Sequence, residues 1–317
     1  MLNFVKEPKG AIKELIDCLR KRTANNLTFD YQQVVKTNDT YLDALVVQEE
    51  HNPIGKTIYL DGLLKEHSEG ATIENIANRI LDICKKKEEI EAMDSNQIFK
   101  QMQDWEYLMD GHITFKLINR ENSKQYLNGK TFIPFLDLAV LFCMTVDGIS
   151  HGIGTVAIPA EVSKSWGISL EDAFKQALTV VQKMFPLKRR TLKDLMFELV
   201  RKATGEEAAE EIFSLLRAMD TDMIVQSNTD MLNGATTLLY KDSFSQLCKE
   251  LDTDALFIIP SSLHELLLLR KVDIEGSALK MMVEDVNRTH VAADEILSSN
   301  IYVYDDNTQQ ISIWEEE

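Results

Sequence analysis

Residues 255–304, ALFIIPSSLHELLLLRKVDIEGSALKMMVEDVNRTHVAADEILSSNIYVY, contain the pattern that decides the fold. A short apolar run at 255–259 ends at Pro260, and a second apolar run follows at 263–269. Apolar residues then recur at the i, i+3, i+4, i+7 spacing of one helix face: Leu279, Met282, Val283 and Val286. The unit is therefore predicted to be a strand, a tight turn, a strand and a helix.

The same order of elements recurs along the chain. We predict strand-strand-helix units that begin near residues 135 and 223, in addition to the one at 255, and a looser version before residue 85. Hairpins followed by single helices are typical of antiparallel sheets with helices on one face. The sequence therefore predicts an α+β fold of repeated strand-strand-helix units, mostly antiparallel sheet with the helices packed on one face.

Other elements have clear local signals. Residues 9–22 carry an apolar stripe that predicts a helix. The β-rich runs 29–35 and 41–48 flank an Asn-Asp turn, which predicts a hairpin. Ser169 precedes a periodic apolar segment and is predicted to begin a helix. Near the C-terminus, Tyr302 and Tyr304 alternate as strand residues of a core should.

Three segments predict more particular local structures. Residues 135–146 are nearly all apolar, which predicts one central strand that is buried on both faces. Residues 236–240 are predicted to form a strand after a turn at Asn233-Gly234. The basic cluster Lys188-Arg189-Arg190 is predicted to lie at the C-terminus of a helix, where cations are favoured.

The length of 317 residues allows one large domain or two ordinary ones. We predict an N-terminal helix, hairpin and helix region at residues 1–110 and the repeated units at 111–317. No Pro/Gly/Ser-rich linker marks the boundary, so a single domain is the alternative.

Charge and hydropathy restrict the partners. The net charge is −17, from 51 acidic and 34 basic residues, and an acidic surface repels phosphate backbones, so we expect no nucleic-acid partner. The longest apolar stretch, 132–146, contains Pro134 and Asp137 and is too short to span a bilayer, so we expect no membrane partner. The N-terminus has no long apolar segment typical of a secretory signal.

The cysteines and histidines predict no metal site. Cys18, Cys84, Cys143 and Cys248 are widely separated, and no pair has the CxxC spacing of a zinc site. The six histidines show no HxxxH, HExxH or HxH spacing. Scattered thiols are typical of a reducing compartment, so the protein is predicted to be cytoplasmic, without metal or cofactor.

Ser262, His264 and Glu265 form the most chemically suggestive cluster. A serine near a base can act as a nucleophile in acyl transfer when an acid orients the histidine. The segment lacks a G-x-S-x-G turn, however, and His264 is predicted to fall within a strand. The alternative is a tight turn after Pro260, with His264 as a polar residue at a sheet edge or pocket rim.

Several motifs resemble ligand sites but are better explained as turns. GKT occurs at 55–57 and 129–131, yet each precedes a strand and lacks the earlier glycine of a phosphate-binding loop. The glycines between 148 and 154 are typical of a hairpin loop. Asp-Thr-Asp at 220–222 and 252–254 lacks the rest of a calcium loop and is predicted to form turns or caps.

Six short segments are spread along nearly the whole chain: VVKTN (34–38), TIYL (57–60), FLDLAV (135–140), SWGI (165–168), IPSSLHE (259–265) and LSSNIYVYD (297–305). Together they resemble a domain-of-unknown-function family of hypothetical proteins from gut Firmicutes. The resemblance implies no activity, ligand or catalytic residue.

Two functions from different classes remain open. The first is a cytoplasmic, non-catalytic protein that binds an unknown protein or small molecule, because the fold pattern is complete without a recognisable catalytic constellation. The second is a hydrolase centred on Ser262 and His264.

Overall fold

The computed structural model describes residues 10–23, 27–49, 56–85, 95–146, 154–204, 223–260, 262–271, 275–289 and 291–315. The N-terminal part contains helices beside a three-stranded antiparallel sheet of order β1-β2-β3. Its elements are α1 (Ala11–Arg22), β1 (Leu27–Val35), β2 (Tyr41–Glu49), β3 (Lys56–Tyr59), α2 (Asp61–Ser68) and α3 (Ile73–Lys85). The predicted first helix and hairpin are confirmed.

The central part is built on a four-stranded antiparallel sheet. Its strands are β4 (Ile113–Asn119), β5 (Phe132–Phe135), β6 (Leu138–Val146) and β7 (Gly154–Ala157). Strand β6 pairs with β4 on one edge, while β5 and β7 pair in succession with the other. The accompanying helices are α4 (Ser95–Gln103), α5 (Trp105–Tyr107), α6 (Lys124–Leu127), α7 (Ala160–Ser163) and α8 (Leu170–Met184), and a π-helical turn spans Leu108–His112.

The C-terminal part is a six-stranded sheet of order β13-β12-β10-β11-β9-β8, antiparallel throughout. Its strands are β8 (Leu187–Thr191), β9 (Ile224–Asn228), β10 (Ala255–Ile259), β11 (Leu266–Arg270), β12 (Tyr302–Asp305) and β13 (Gln310–Ile313). Its helices are α9 (Leu192–Thr204), α10 (Lys241–Glu250) and α11 (Gly276–Thr289), with a 3₁₀ helix at Gly234–Leu239. The predicted strand-turn-strand-helix order of 255–289 is confirmed.

Helices cover both faces of the six-stranded sheet. Side chains alternate between the faces of a strand, so Ile258 of β10 joins Phe244 of α10 in a core shared with the four-stranded sheet. The next residue, Ile259, packs with Val283 of α11 on the opposite face. The α+β class and the antiparallel pairing are confirmed, and this sheet departs from the predicted single helical face because β10 is buried on both sides.

Buried residues from Ile12 to Ile80 form one core, against which partly buried residues up to Cys84 pack. The largest of the other cores includes residues from 102 to 304 and joins the two larger sheets. The helix at 95–103 contributes Met102 to this larger core. A boundary at residue 110 stays a prediction.

Residues 138–146 form the predicted central strand, which is buried along nearly its whole length. Its predicted start at residue 135 is wrong, because Leu136 adopts a left-handed conformation with φ 54° and ends β5. Two other local predictions are wrong. Residues 236–240 lie mostly in a 3₁₀ helix, where the Thr236 and Thr237 hydroxyls donate to carbonyls three residues earlier. The basic cluster 188–190 lies in strand β8, because its backbone pairs with β9.

Asp137, at the tip of the β5-β6 hairpin, connects the four-stranded sheet to the C-terminal segment. Its Oδ2 accepts hydrogen bonds from Ser298 Oγ at 2.6 Å and Asn300 Nδ2 at 3.1 Å. Its Oδ1 accepts one from the buried Tyr302 hydroxyl at 2.7 Å. One carboxylate therefore satisfies three donors near the start of β12.

The tip of the β1-β2 hairpin docks on the same region. Asn38 Nδ2 donates to the carbonyls of Ala293 and Ile296, at 2.8 and 2.7 Å. The Asp39 carboxylate accepts from the backbone N–H groups of Gln125 and Tyr126, at 3.0 and 2.8 Å. These bonds attach the N-terminal sheet to the larger part of the molecule.

Replacing Gly276 with alanine is expected to destabilise the protein by about 1–3 kcal/mol, because overpacking forces side chains or backbone to shift. A Cβ at this position would lie 2.4 Å from ring carbons of Trp314. Gly62→Ala is the control, since nothing lies within 4 Å of its Cβ position. We expect the control to keep or gain stability, by up to about 1 kcal/mol. Urea denaturation measures both, and equal stability of the two variants would contradict the close contact.

Stability is expected to fall as the pH rises above about 10. Burial, followed by the adjacent Asp137 carboxylate, raises the pKa of Tyr302 above its ordinary value. Above that ordinary value the unfolded chain releases a proton that the folded chain retains, so the unfolded state is favoured. Tyr302 contributes up to about 1.4 kcal/mol per pH unit to this loss.

Tyr302→Phe should therefore reduce the dependence of unfolding free energy on pH between about 10 and 11. Urea denaturation at several pH values measures the slope. Tyr41→Phe, at an exposed tyrosine, is the matched control. A Tyr302→Phe slope equal to that of the unmodified protein would refute the assignment.

Candidate functional site

A cleft of about 380 Å³ lies between the four-stranded sheet and the loop after β9. Strands β4 and β7 contribute one wall, Phe185 lies beyond the end of α8, and the loop contributes the other wall. The lining residues are Thr114, Phe115, Thr155, Phe185, Asn228, Asp230, Met231, Leu232, Asn233 and Thr236. Residues distant in sequence therefore meet in one concave site.

Asn228 shapes the loop wall of the cleft. Its side-chain oxygen accepts from Leu232 N at 3.3 Å, and its Nδ2 donates to Leu232 O at 2.9 Å. Its backbone carbonyl also accepts from Met231 N at 3.2 Å. Met231 and Asn233 have φ of 55° and 51°, so the loop turns sharply. A buried asparagine thus holds the exposed residues 231–232 at the cleft.

Gly234 allows the loop to approach the turn before β11. A Cβ at this residue would lie 1.9 Å from Ser227 Oγ and 2.3 Å from His264 O. The Ser227 hydroxyl donates to this same His264 carbonyl at 2.7 Å. A side chain at residue 234 is therefore incompatible with the packing of the loop against the turn.

The predicted cluster Ser262, His264 and Glu265 lies in this turn. The prediction that His264 lies in a strand is wrong, because β11 begins at Leu266. Ser262 Oγ accepts from the His264 backbone N–H at 3.0 Å, and Ser262 N lies 3.5 Å from Glu265 O. These bonds form a tight turn, as the alternative interpretation predicts.

The two nitrogen atoms of the His264 ring contact the cleft loop and an acidic residue. Its Nδ1 accepts from the backbone N–H of Asn233 at 3.2 Å, which places the proton of the neutral ring on Nε2. Nε2 lies 3.8 Å from Glu295 Oε1. The structure therefore brings His264 to an acid and to the cleft loop, while the Ser262 hydroxyl serves the turn. A catalytic role for Ser262, His264 and Glu265 stays a prediction.

Asp230 is the one charged residue among the described residues that line the cleft. Arg190 reaches the rim, where its Nη2 lies 3.0 Å from Met231 Sδ. Its Nη1 is paired with Glu198 Oε2 at 2.6 Å. The described lining of the cleft therefore carries one negative charge, that of the Asp230 carboxylate.

The other sequence motifs lie elsewhere. Lys130 of the second GKT lies over the Tyr126 ring and donates to the Tyr126 carbonyl, and it precedes β5 as predicted. Asp252 lies in a turn with φ 52°. Gly55, residues 148–153 and residues 220–222 lie outside the described residues.

Among the residues that the structure describes, no group of three or more His, Cys, Asp and Glu side chains is arranged to hold a metal ion. No helix within the described ranges has both the length and the apolar character needed to cross a membrane.

Sequence reasoning missed the cleft. Its residues come from β4, β7, the end of α8 and the loop after β9, and their pairing depends on the contact between the two sheets. The one local signal of the cleft loop is Asn233-Gly234, which predicts a turn between two strands.

Fold and cleft together describe an α+β protein with a preformed small-molecule-sized site. The chain belongs to the family of unknown function DUF5688, whose model matches residues 8–306. The resemblance to a family without assigned function is confirmed at that level. No curated protein and no solved structure matches the chain.

Gly234→Ala is expected to destabilise the protein by about 2–4 kcal/mol, because the added methyl group overlaps a backbone carbonyl and a hydroxyl. Ser227→Ala is the comparison. It removes one hydrogen bond to His264 O without adding an atom, which costs about 0.5–1.5 kcal/mol. Urea denaturation ranks the variants, and a smaller cost for Gly234→Ala than for Ser227→Ala would contradict this account of the loop.

Proposed function

We propose that this protein is a non-catalytic binding protein that holds a small ligand in the cleft between the four-stranded sheet and the loop at 228–236. The observation that carries the proposal is the cleft itself. Ligand sites in proteins commonly have volumes of about 300–1,000 Å³ and combine aromatic surface with a few polar groups. The volume of about 380 Å³ and the mixed lining fit this description.

The rigidity of the loop supports binding by a preformed site. Asn228 is hydrogen-bonded along the loop, and Gly234 lies in close contact with the His264 turn. A site that is already ordered loses less conformational entropy when a ligand binds. The loop is therefore suited to recognition of a specific small molecule.

We place the protein in the cytoplasm of a bacterium, with a protein partner as the alternative to a small ligand. None of the four cysteines forms a disulfide, as expected in a reducing compartment. Burial raises the pKa values of Cys143 and Cys248 to about 11, so both thiols stay protonated and unreactive near neutral pH. The acidic net charge disfavours nucleic acid. An origin in gut Firmicutes stays part of the proposal.

A hydrolase remains the second candidate, and the His264 ring is the observation that favours it. Glu295 lies 3.8 Å from Nε2, where an acid would orient the ring of a general-base histidine. Catalysis by Ser262 requires that its hydroxyl leave the His264 backbone N–H and that Nδ1 exchange the Asn233 N–H for this hydroxyl. Covalent labelling by a fluorophosphonate that is lost in Ser262→Ala would favour this function over the first.

A thermal-shift screen of metabolites tests the binding proposal. A ligand at a hundred times its Kd is expected to stabilise the folded protein by about 2.7 kcal/mol. Thr155→Phe should abolish this shift, because the larger side chain fills the cleft. Val156→Phe is the matched control, since residue 156 lies on the opposite face of β7 and is exposed.

The proposal fails if a ligand that stabilises the protein does so equally in Thr155→Phe and Val156→Phe. It also fails if no compound in the screen changes the melting temperature while affinity capture finds a stoichiometric protein partner. A shift lost in Thr155→Phe alone supports it.

A further inference from the structure

Four backbone N–H groups of the cleft loop donate to acceptors within the protein. Met231 N and Leu232 N donate to the carbonyl and side-chain oxygens of Asn228. Asn233 N donates to the His264 ring, and Thr236 N donates to the Asn233 carbonyl. These N–H groups are therefore not available to bind an anion at this wall.

The side chains of the same wall leave mainly acceptors. The Asn228 Nδ2 donates to Leu232 O, and the Thr236 hydroxyl donates to Asn233 O. The Thr236 oxygen keeps lone pairs that accept, and the Asp230 carboxylate accepts only. The Asp230 carboxylate and the Thr236 oxygen therefore offer acceptors that suit a ligand with donors of its own.

The charges at the cleft also favour a cationic ligand over an anionic one. Asp230 is the one charged lining residue in the described part of the cleft, and the nearby Arg190 is paired with Glu198. The net charge of −17 adds a field that favours cations over the whole surface. The Asp230 carboxylate and the negative net charge both disfavour phosphorylated or carboxylated ligands.

The remaining lining is apolar. Phe185 lines the cleft with a side chain that is 7% exposed, whereas the Phe115 ring is fully buried against Phe142 and Phe174. Met231 lies on the opposite wall and is exposed at the rim. An aromatic ring and a thioether favour an aromatic or aliphatic ligand body.

We propose that the cleft takes a small amine in its protonated form, with an aromatic or aliphatic body against Phe185 and Met231 and the ammonium group toward Asp230. This inference rests on the proposed binding function and narrows its ligand class. The ammonium group supplies donors to the Asp230 carboxylate, and the body displaces water from the exposed apolar side chains of Met231 and Leu232.

Three probes of similar size separate the classes: benzylamine, benzyl alcohol and benzoate. Binding is measured by changes in the NMR signals of the threonine methyl groups, among them those of the cleft residues Thr114, Thr155 and Thr236, during titration of the full-length protein. We expect benzylamine to bind in the cleft and benzoate to leave these signals unchanged. Asp230→Asn should weaken benzylamine about tenfold, as expected for loss of one charge-assisted hydrogen bond.

Asp252→Asn is the matched control for charge. It removes the same charge from an exposed residue, at the end of β10 opposite to the His264 turn. Asp252 has φ 52°, which asparagine adopts readily, so the control should fold and bind benzylamine with unchanged affinity.

The amine class is overturned if benzyl alcohol or benzoate binds the cleft as tightly as benzylamine, or if Asp230→Asn and Asp252→Asn bind benzylamine equally. It is also overturned if benzylamine leaves the cleft signals unchanged. The binding function itself is judged separately, because the Thr155→Phe comparison uses any ligand of the metabolite screen. If a metabolite without an amine binds the protein and this binding is lost in Thr155→Phe, the binding function stands and the amine class is rejected.

Discussion

The carboxylate of Asp137 is the interaction on which the arrangement of the two larger sheets depends. It accepts hydrogen bonds from Ser298, Asn300 and Tyr302, and so joins the tip of the β5-β6 hairpin to the segment that enters β12. The Tyr302 side chain is fully buried, and a buried hydroxyl without a partner is costly. Strand β12 pairs with β10 at the centre of the six-stranded sheet, so this carboxylate helps to set where that sheet meets the four-stranded one.

The N-terminal sheet uses the same neighbourhood as its anchor. Asn38 and Asp39 bond to residues 293–296 and 125–126, respectively. The hairpin tip thus satisfies backbone groups of two segments far apart in sequence, while its own core stays separate. Polar docking of this kind fixes orientation through the directions of hydrogen bonds rather than through buried apolar area.

The cleft depends on the contact between the sheets. Phe115 of β4 lies in the core that the sheets share, and the loop after β9 faces it because Gly234 permits close approach to the His264 turn. The hydrogen bonds that make the loop rigid also occupy backbone N–H groups of the loop. Stability and ligand preference are therefore coupled here, since the same N–H groups cannot hold the loop and bind an anion.

The sequence by itself determined most individual elements, because periodicity and turn chemistry act over a few residues. It predicted the hairpin at 27–49, the elements of 255–289 and the helix after Ser169, whose side chain accepts from Asp172 N. It failed at 136–137 and 236–240, where a left-handed residue and threonine hydroxyls override strand-like composition. Only the tertiary structure decided which sheet faces carry helices and where the cleft lies. Both features depend on contacts between separate elements, and in the cleft the residues of β4 and of the loop after β9 are more than a hundred positions apart, which no local pattern encodes.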